Sequence, residues 1–191
     1  MTKNERELLL ILFKDFTNYY NANSISKILN ITHVGAQKIF KRLSNILTSK
    51  RIGKSIVYKL NLDEDYPKKL ISFLLTEEAD NFKRWKEEFK ELFKKDRIII
   101  MFGSSIKNYS VSKDIDIMIV MDKKDIKEIN EIIKEKEKIL PKPLHVIKLT
   151  DDDLLTNVKN KKKAIIDIIK NGIILYGQDK YVELIKNVTS I

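Results

Sequence analysis

The sequence lacks cysteine and has few residues that interrupt regular structure. Among 191 residues there are no Cys, 5 Gly and 3 Pro. Without cysteine the chain has no disulfide framework, no thiolate metal site and no cysteine nucleophile. So few glycines and prolines leave little material for a flexible linker, and we expect any modules to follow one another closely along the chain.

Long hydrophobic runs are also missing. No apolar run reaches the length of about 18 residues that a membrane-spanning helix needs. The first residues lack the basic and apolar segments of a signal peptide. A hydrophobic content of 43% with 34% charged residues is typical of a folded soluble protein and excludes a disordered one. We therefore expect a cytoplasmic protein that has no membrane partner.

Carboxylates are scarce in the first third of the chain. Residues 1–62 contain 11 Lys or Arg and 3 Asp or Glu, whereas the other residues contain 26 and 24. The net charge of +10 is therefore concentrated at one end. Heat adaptation also enriches proteins in lysine, but it does not explain a local lack of carboxylates. The asymmetry predicts a polyanionic partner for residues 1–62.

The same third has the pattern of three helices and a β-hairpin. Apolar residues at helical spacing predict a helix over residues 5–16. Ser24 or Ser26 is expected to cap a second helix, and Thr32 a third one. A basic turn that contains glycine precedes the β-branched and aromatic run Ile56–Leu60, which predicts a hairpin.

This order resembles the winged helix-turn-helix family over residues 8–62, with matching stretches at Ser26–Ile31, Lys41–Leu43 and Val57–Leu60. The resemblance implies binding of double-stranded DNA, with the third helix in the major groove and the hairpin on the backbone. Winged helices also mediate protein contacts, so that alternative stays open. The implied DNA-binding residues are His33, Gln37, Lys38 and Arg42 of the helix, and Lys50, Arg51 and Lys54 of the hairpin.

A connecting helix is expected over residues 63–76, within a connecting region at 63–79, and a second helix over residues 77–95. From there the pattern changes to short apolar runs, at Arg97–Phe102, Asp116–Met121 and Leu144–Leu149, which alternate with helical stretches at 124–138 and 160–171. The sequence therefore predicts an α+β protein. Its parts are a winged helix at 1–62, the connecting helix, and a mixed α/β domain at 80–191.

Two short elements of the second domain carry chemistry. Gly103 and Ser104 follow an apolar run, and backbone amides at such a strand-to-helix turn can bind phosphate. Nine residues, 105–113, separate this turn from Asp114 and Asp116, which lie two apart and so point to one face of a strand. Adjacent carboxylates repel each other unless a cation such as Mg2+ or Mn2+ lies between them.

These elements resemble the nucleotidyltransferase superfamily related to DNA polymerase beta, especially its small members, over residues 80–188. The tail Asn171–Gly177 also resembles these domains. The resemblance implies transfer of a nucleoside monophosphate from a triphosphate, with ATP expected, to an acceptor hydroxyl. It implies catalysis and metal binding by Asp114 and Asp116, and nucleotide binding by Gly103, Ser104, Ser105 and Lys107. The contrary interpretation is an ordinary turn followed by two solvated aspartates.

Two departures from this family pattern stand out. The family usually has a third carboxylate on a later strand, where the run Leu144–Leu149 places His145. A histidine can accept a proton or bind a metal, so His145 is the candidate third catalytic residue, but it supplies no negative charge. Asp151–Asp153 could substitute if the register differs. The usual Arg-Gly after the first turn is absent, and Lys107 is the nearby cation.

Two functions therefore remain open. The first is an enzyme whose acceptor is a protein hydroxyl, a nucleic-acid end or a small molecule, which includes a transferase that modifies RNA held by the basic module. The second is a transcriptional regulator or antitoxin-like protein whose transferase-like domain only binds nucleotide or mediates dimerisation. Leu70, Phe73 and Leu74 could form the face of such a homodimer, or could equally belong to the core.

Overall fold

The computed structural model describes residues 1–189, and the chain divides into an N-terminal unit, Met1–Leu74, and a C-terminal unit that begins at Leu75. None of the helices in the described part is both long and apolar enough to cross a membrane. The elements of the N-terminal unit are α1 (Lys3–Lys14), α2 (Ala22–Ile28), α3 (His33–Arg42), β1 (Leu47–Ile52) and β2 (Ser55–Leu60). Helix α4 (Asp65–Asp80) crosses the boundary between the two units.

The short helices α2 and α3 begin at N-cap residues, whose side chains accept hydrogen bonds from backbone N–H groups of the first turn. Thr32 caps α3 through the N–H of Gly35, as the sequence predicts. The expectation that Ser24 or Ser26 caps α2 was wrong, because Asn21 accepts from the N–H of Ser24 while Ser24 accepts from that of Asn21. Ser26 lies inside the helix and donates to a backbone carbonyl.

The hairpin of β1 and β2 packs on the helices through aromatic contacts. Its two-residue turn begins at Gly53, whose φ of 57° lies in the left-handed region that favours glycine. Tyr58 stacks on Phe40 of α3 with ring centroids 4.0 Å apart. The N–H of Tyr58 also donates to the carbonyl of Tyr20, so the segment between α1 and α2 adds a bridge to the hairpin. These contacts fix the hairpin beside α3.

The predicted helix over residues 77–95 was wrong. Helix α4 runs on to Asp80, and a separate short helix, α5 (Lys83–Glu88), is followed by a 3-10 turn at Lys90–Leu92. The side-chain amide of Asn81 donates to two carbonyl groups in the last turn of α4 and so competes with continuation of the helix. The apolar spacing that suggested one helix belongs to two separate elements.

The C-terminal unit contains a four-stranded mixed sheet with the order β5-β4-β3-β6. Strands β4 and β5 are parallel, and β3 is antiparallel to both of its neighbours. The mixed α/β pattern expected for this region is confirmed. The elements after α5 are β3 (Ile98–Phe102), α6 (Ser104–Lys107), β4 (Ile115–Val120), α7 (Ile126–Ile139), β5 (Leu144–Leu149), α8 (Asp151–Lys159), α9 (Lys163–Asn171), β6 (Ile173–Tyr176) and α10 (Gln178–Thr189).

The two central strands are buried on both faces, which explains their continuous apolar runs. One face packs against Trp85 of α5, against Phe89 directly after that helix, and against Ile129 and Ile133 of α7. Asp116 is the one polar residue of β4, and it lies near the end of the strand where the sheet meets solvent. The fold therefore holds a carboxylate at the margin of its apolar core.

Candidate active site

Asp114, Asp116 and His145 meet at the end of the sheet where strands β4 and β5 begin. Asp114 immediately precedes β4, and the parallel register pairs Asp116 with His145 near the start of β5. The Nδ1 atom of His145 lies 3.3 Å from Oδ2 of Asp114 and 3.5 Å from Oδ1 of Asp116. One ligand atom from each of the three residues lies within 4.8 Å of the others. The structure thus brings together the three residues that the sequence singles out as catalytic.

Strand alternation decides which way the carboxylates face. Ile115 and Ile117 are fully buried in the core on one face of β4, so Asp114 and Asp116 project on the other. Their side chains are 29% and 19% exposed, whereas that of His145 is 63% exposed. The two carboxylates are therefore partly withdrawn from water, whereas the imidazole beside them is largely exposed.

This placement disfavours the ionised form of Asp116. Burial raises the pKa of the Asp116 carboxyl, and the negative charge of Asp114 raises it further. His145 opposes both effects and lowers the pKa, but the net direction is upward. A cation between the two carboxylates would remove the repulsion and favour the ionised pair.

Gly103 lies directly against Asp116. It follows the last residue of β3, which pairs with Asp116 in the antiparallel register. Its φ of 78° is in the region that favours glycine. A Cβ atom at this position would be 2.0 Å from Oδ2 of Asp116. Glycine is therefore required here twice, by the backbone turn and by the close approach of the carboxylate.

The other residues of the Gly-Ser turn differ in their exposure. Ser104 and Lys107, at the two ends of the short helix α6, are exposed. Ser105 is only 3% exposed, and its hydroxyl donates to the carbonyl of Phe102 over 3.4 Å. Of the predicted nucleotide-binding side chains, those of Ser104 and Lys107 are thus open to a ligand, while the Ser105 hydroxyl is turned inward.

A lysine that sequence analysis did not identify fixes the loop before Asp114. Nζ of Lys142 donates to the carbonyl of Ser112 over 2.6 Å, to the Ser112 hydroxyl over 3.1 Å and to the carbonyl of Tyr109. The same ammonium lies 4.2 Å from the centre of the Tyr109 ring. Thirty residues separate Lys142 from Ser112 along the chain, so no local spacing could have indicated the contact.

The alternative third carboxylates lie elsewhere. Asp151–Asp153 follow the carboxyl end of β5, whereas His145 lies near its beginning. Asp153 bonds reciprocally with Thr150 in a capping box at the start of α8. Asp151 pairs with Lys180 over 2.7 Å beside a mixed-charge cavity of about 870 Å³. Asp151 and Asp153 thus have partners at that end of the sheet, and His145 occupies the position beside the Asp pair.

The predicted DNA-binding residues are all exposed. His33, Gln37 and Lys38 lie on α3, and Lys50 and Arg51 lie on β1. Lys54 is in the hairpin turn. Arg42 differs from the others because its Nε lies 2.7 Å from Oε1 of Glu5, a buried residue of α1. Its charge is already partly compensated within the unit.

The three clustered residues suit a divalent ion. Two donors that each lie about 2.1 Å from one ion are about 3.0–3.4 Å apart in octahedral or tetrahedral coordination. The separations of 3.3 and 3.5 Å from the imidazole nitrogen to the two carboxylates are close to this range. The cluster can therefore close around one ion with small side-chain adjustments.

Comparison with known proteins agrees with this geometry. Residues 87–181 match the model of the family described as Polymerase beta, Nucleotidyltransferase. The match runs from the last turn of α5 to the first turn of α10 and includes the Gly-Ser turn and the clustered residues. No curated protein and no solved structure matches the chain. Residues 87–181 are thus similar to nucleotidyltransferase domains, which in general use a nucleoside triphosphate and a divalent metal.

The first prediction concerns the close approach of Gly103 to Asp116. Gly103→Ala and Gly53→Ala both place a side chain at a positive φ, which we expect to cost about 1–2 kcal/mol of unfolding free energy in each variant. A Cβ at Gly53 meets nothing within 4 Å, whereas one at Gly103 displaces Asp116. Mn2+ binding, measured by electron paramagnetic resonance, should therefore weaken about ten-fold or more only in Gly103→Ala. Unchanged Mn2+ affinity in that variant would contradict the packing described here.

The second prediction concerns the cost of the ionised pair. Because folding raises the pKa of Asp116, its contribution to stability is most favourable below the usual aspartate pKa of 3.8 and is lost as pH rises through the folded-state pKa. In EDTA at pH 7, Asp116→Asn should therefore have a higher Tm than the wild type. The two Tm values should converge near pH 3, where Asp116 in the wild type is protonated and therefore neutral, like the asparagine of the variant. A wild type more stable than the variant at pH 7 without metal would refute this.

Proposed function

We propose that the C-terminal unit transfers a nucleoside monophosphate from a nucleoside triphosphate, with ATP as the expected donor, to an acceptor hydroxyl. Asp114 and Asp116 bind the divalent ion, Mg2+ or Mn2+, that the reaction needs. The observation that carries the proposal is the cluster of these carboxylates with His145, packed against Gly103 within the family match. A phosphate-binding turn beside a metal-binding pair is what phosphoryl transfer requires.

The reaction balances without any further reactant. The acceptor oxygen forms a bond to the α-phosphorus, the bond from that phosphorus to the bridging β-phosphate oxygen breaks, and pyrophosphate leaves. The hydroxyl proton passes to a base. A bound divalent ion supplies positive charge that acidifies the hydroxyl and offsets the charge on the phosphates. The residues of the chain mainly position the reacting groups.

Each residue of the turn has a role in this scheme. The backbone N–H groups after Gly103 have no acceptor in the preceding turn of helix, so they are available to the outer phosphates. The exposed Ser104 hydroxyl and the Lys107 ammonium add a hydrogen bond and a positive charge. Ser105 contributes through its backbone, since its hydroxyl is engaged with Phe102. His145 is adjacent to both carboxylates and either accepts the proton or binds the ion.

The transfer is tested with each α-labelled nucleoside triphosphate in Mg2+ or Mn2+. Acceptors are the protein itself, RNA, and the proteins of a cell lysate. We expect the wild type to label one acceptor class and Asp114→Asn/Asp116→Asn to lose about 1,000-fold or more of that rate. Asp152→Asn, an exposed carboxylate at the other end of the sheet, is the matched control and should keep it. Equal labelling by the double variant would exclude the proposed site.

We further propose that residues 1–62 form a winged helix that binds double-stranded DNA. Charge supports it, because this segment contains 11 basic and 3 acidic residues. Exposure supports it too, since His33, Gln37 and Lys38 share the open face of α3. We place α3 in the major groove and Lys50, Arg51 and Lys54 on phosphates. Arg42 contributes less, because binding DNA competes with its ion pair to Glu5.

The DNA proposal predicts a specific salt dependence. Lys50→Glu/Arg51→Glu should weaken binding and reduce the slope of log K against log salt concentration by about two, one for each lost phosphate contact. Lys127→Glu/Lys134→Glu reverses two exposed lysines of α7 and gives the same net charge. If both double variants change binding equally, only net charge matters and the hairpin is not an interface.

A regulator without transferase activity is the second candidate. The observation that favours it is His145 in place of the usual third carboxylate, because the site then holds less negative charge. In this case the C-terminal unit binds nucleotide or mediates a homodimer, and the N-terminal unit binds DNA. Nucleotide binding and DNA binding without label transfer to any acceptor would favour the regulator over the enzyme.

A further inference from the structure

We infer that His145 makes this site selective for a divalent transition-metal ion over Mg2+. The inference rests on the proposed function, since it assigns the identity of the ion that Asp114 and Asp116 hold there. It depends on the side chains of this chain alone, so it can be tested without knowledge of the acceptor.

The donor set is mixed. Asp114 and Asp116 offer carboxylate oxygens, which suit Mg2+ and Mn2+ alike. His145 offers a nitrogen in the cluster where all three ligand atoms lie within 4.8 Å of one another. Mg2+ prefers oxygen ligands and gives up water reluctantly, whereas Mn2+, Co2+ and Zn2+ bind imidazole more readily. The nitrogen therefore adds affinity for the second group of ions.

The fold places the imidazole of His145 next to the proposed ion site. Parallel pairing of β4 and β5 sets His145 directly beside Asp116. Its Nδ1 already faces both carboxylates, at 3.3 and 3.5 Å. An ion held by Asp114 and Asp116 is therefore within reach of this nitrogen. The strand register runs along the whole length of both strands, so the position of the His145 backbone beside Asp116 is a property of the fold.

The charge of the cluster also favours transition-metal ions over Mg2+. A third carboxylate would raise the negative charge of the cluster from two to three, and Mg2+ is held mainly by such charge. A neutral imidazole adds a ligand without adding charge. The site consequently loses attraction for Mg2+ while it keeps a coordinating atom for ions that accept nitrogen.

The test is direct metal binding to the full chain. Mn2+ affinity is measured from the electron paramagnetic resonance signal of the free ion, and Mg2+ affinity from its competition with Mn2+. The variants are His145→Asp, which supplies the third carboxylate, and His145→Asn, which removes the nitrogen ligand without adding charge. We expect the ratio of Mn2+ to Mg2+ affinity to fall about ten-fold or more in His145→Asp. In His145→Asn, Mn2+ binding should weaken while Mg2+ binding stays near the wild-type value.

Cobalt gives a second readout. The visible absorption of bound Co2+ depends on its ligands, so wild-type protein should give a spectrum that changes in both His145 variants. Asp114→Asn/Asp116→Asn should abolish the spectrum. An affinity ratio and a Co2+ spectrum that His145→Asp leaves unchanged would overturn the inference, because the imidazole is then not a ligand.

The two proposals fail in different ways. If the ratio shifts as expected but no nucleotide is transferred with Mn2+, Co2+ or Mg2+, the metal selectivity stands and the transferase does not. If label is transferred and the ratio is insensitive to His145, the transferase stands and the selectivity does not. Circular dichroism of each variant establishes that the fold is retained.

Discussion

Repulsion between two carboxylates at the margin of an apolar sheet is the constraint around which the C-terminal unit is arranged. The other residues of strand β4 are apolar and buried. Asp116 is the one half-buried position of this strand, so its carboxylate is only partly open to water. Burial raises the pKa of the Asp116 carboxyl, and the like charge of Asp114 beside it raises that pKa further. A buried strand would be more stable with a neutral residue there. The pair therefore indicates a site where a cation is expected to bind.

The surroundings hold this pair in one arrangement. Gly103 leaves room for the Asp116 carboxylate where any side chain would collide with it. Lys142 ties down the loop that leads into Asp114, and Trp85 packs edge-on against Tyr109 of the same loop with ring centroids 5.1 Å apart. Preorganised ligands of this kind lose little entropy on binding an ion and a triphosphate.

Features that depend on residues close together in the sequence could be predicted, whereas contacts between residues far apart in the sequence could not. The Asp pair and the Gly-Ser turn are short patterns that can be read directly from the sequence. The family resemblance places His145 beside them, because it expects a third carboxylate on that strand. Lys142 cannot be found that way, because its partners are thirty residues distant. The helix break at Asn81 depends on a side chain that competes for backbone carbonyls, which apolar spacing does not reveal.

The N-terminal unit shows the same limit. The open face of α3 and the basic hairpin follow from periodicity and turn chemistry. The pairing of Arg42 with Glu5 joins α3 to α1, so it depends on tertiary packing. This ion pair lowers the contribution that we expect from Arg42 to DNA binding. The sequence pattern alone does not distinguish Arg42 from the other basic residues near it.

A crystal structure of the chain with Mn2+ and a non-hydrolysable ATP analogue, with anomalous diffraction measured at the manganese edge, would locate the ion and the nucleotide directly. We expect an anomalous peak bounded by Asp114, Asp116 and His145, with the triphosphate against the turn at Gly103 and Ser104. An ion and nucleotide bound elsewhere, for example in the mixed-charge cavity beside Asp151 and Lys180 at the other end of the sheet, would contradict this expectation.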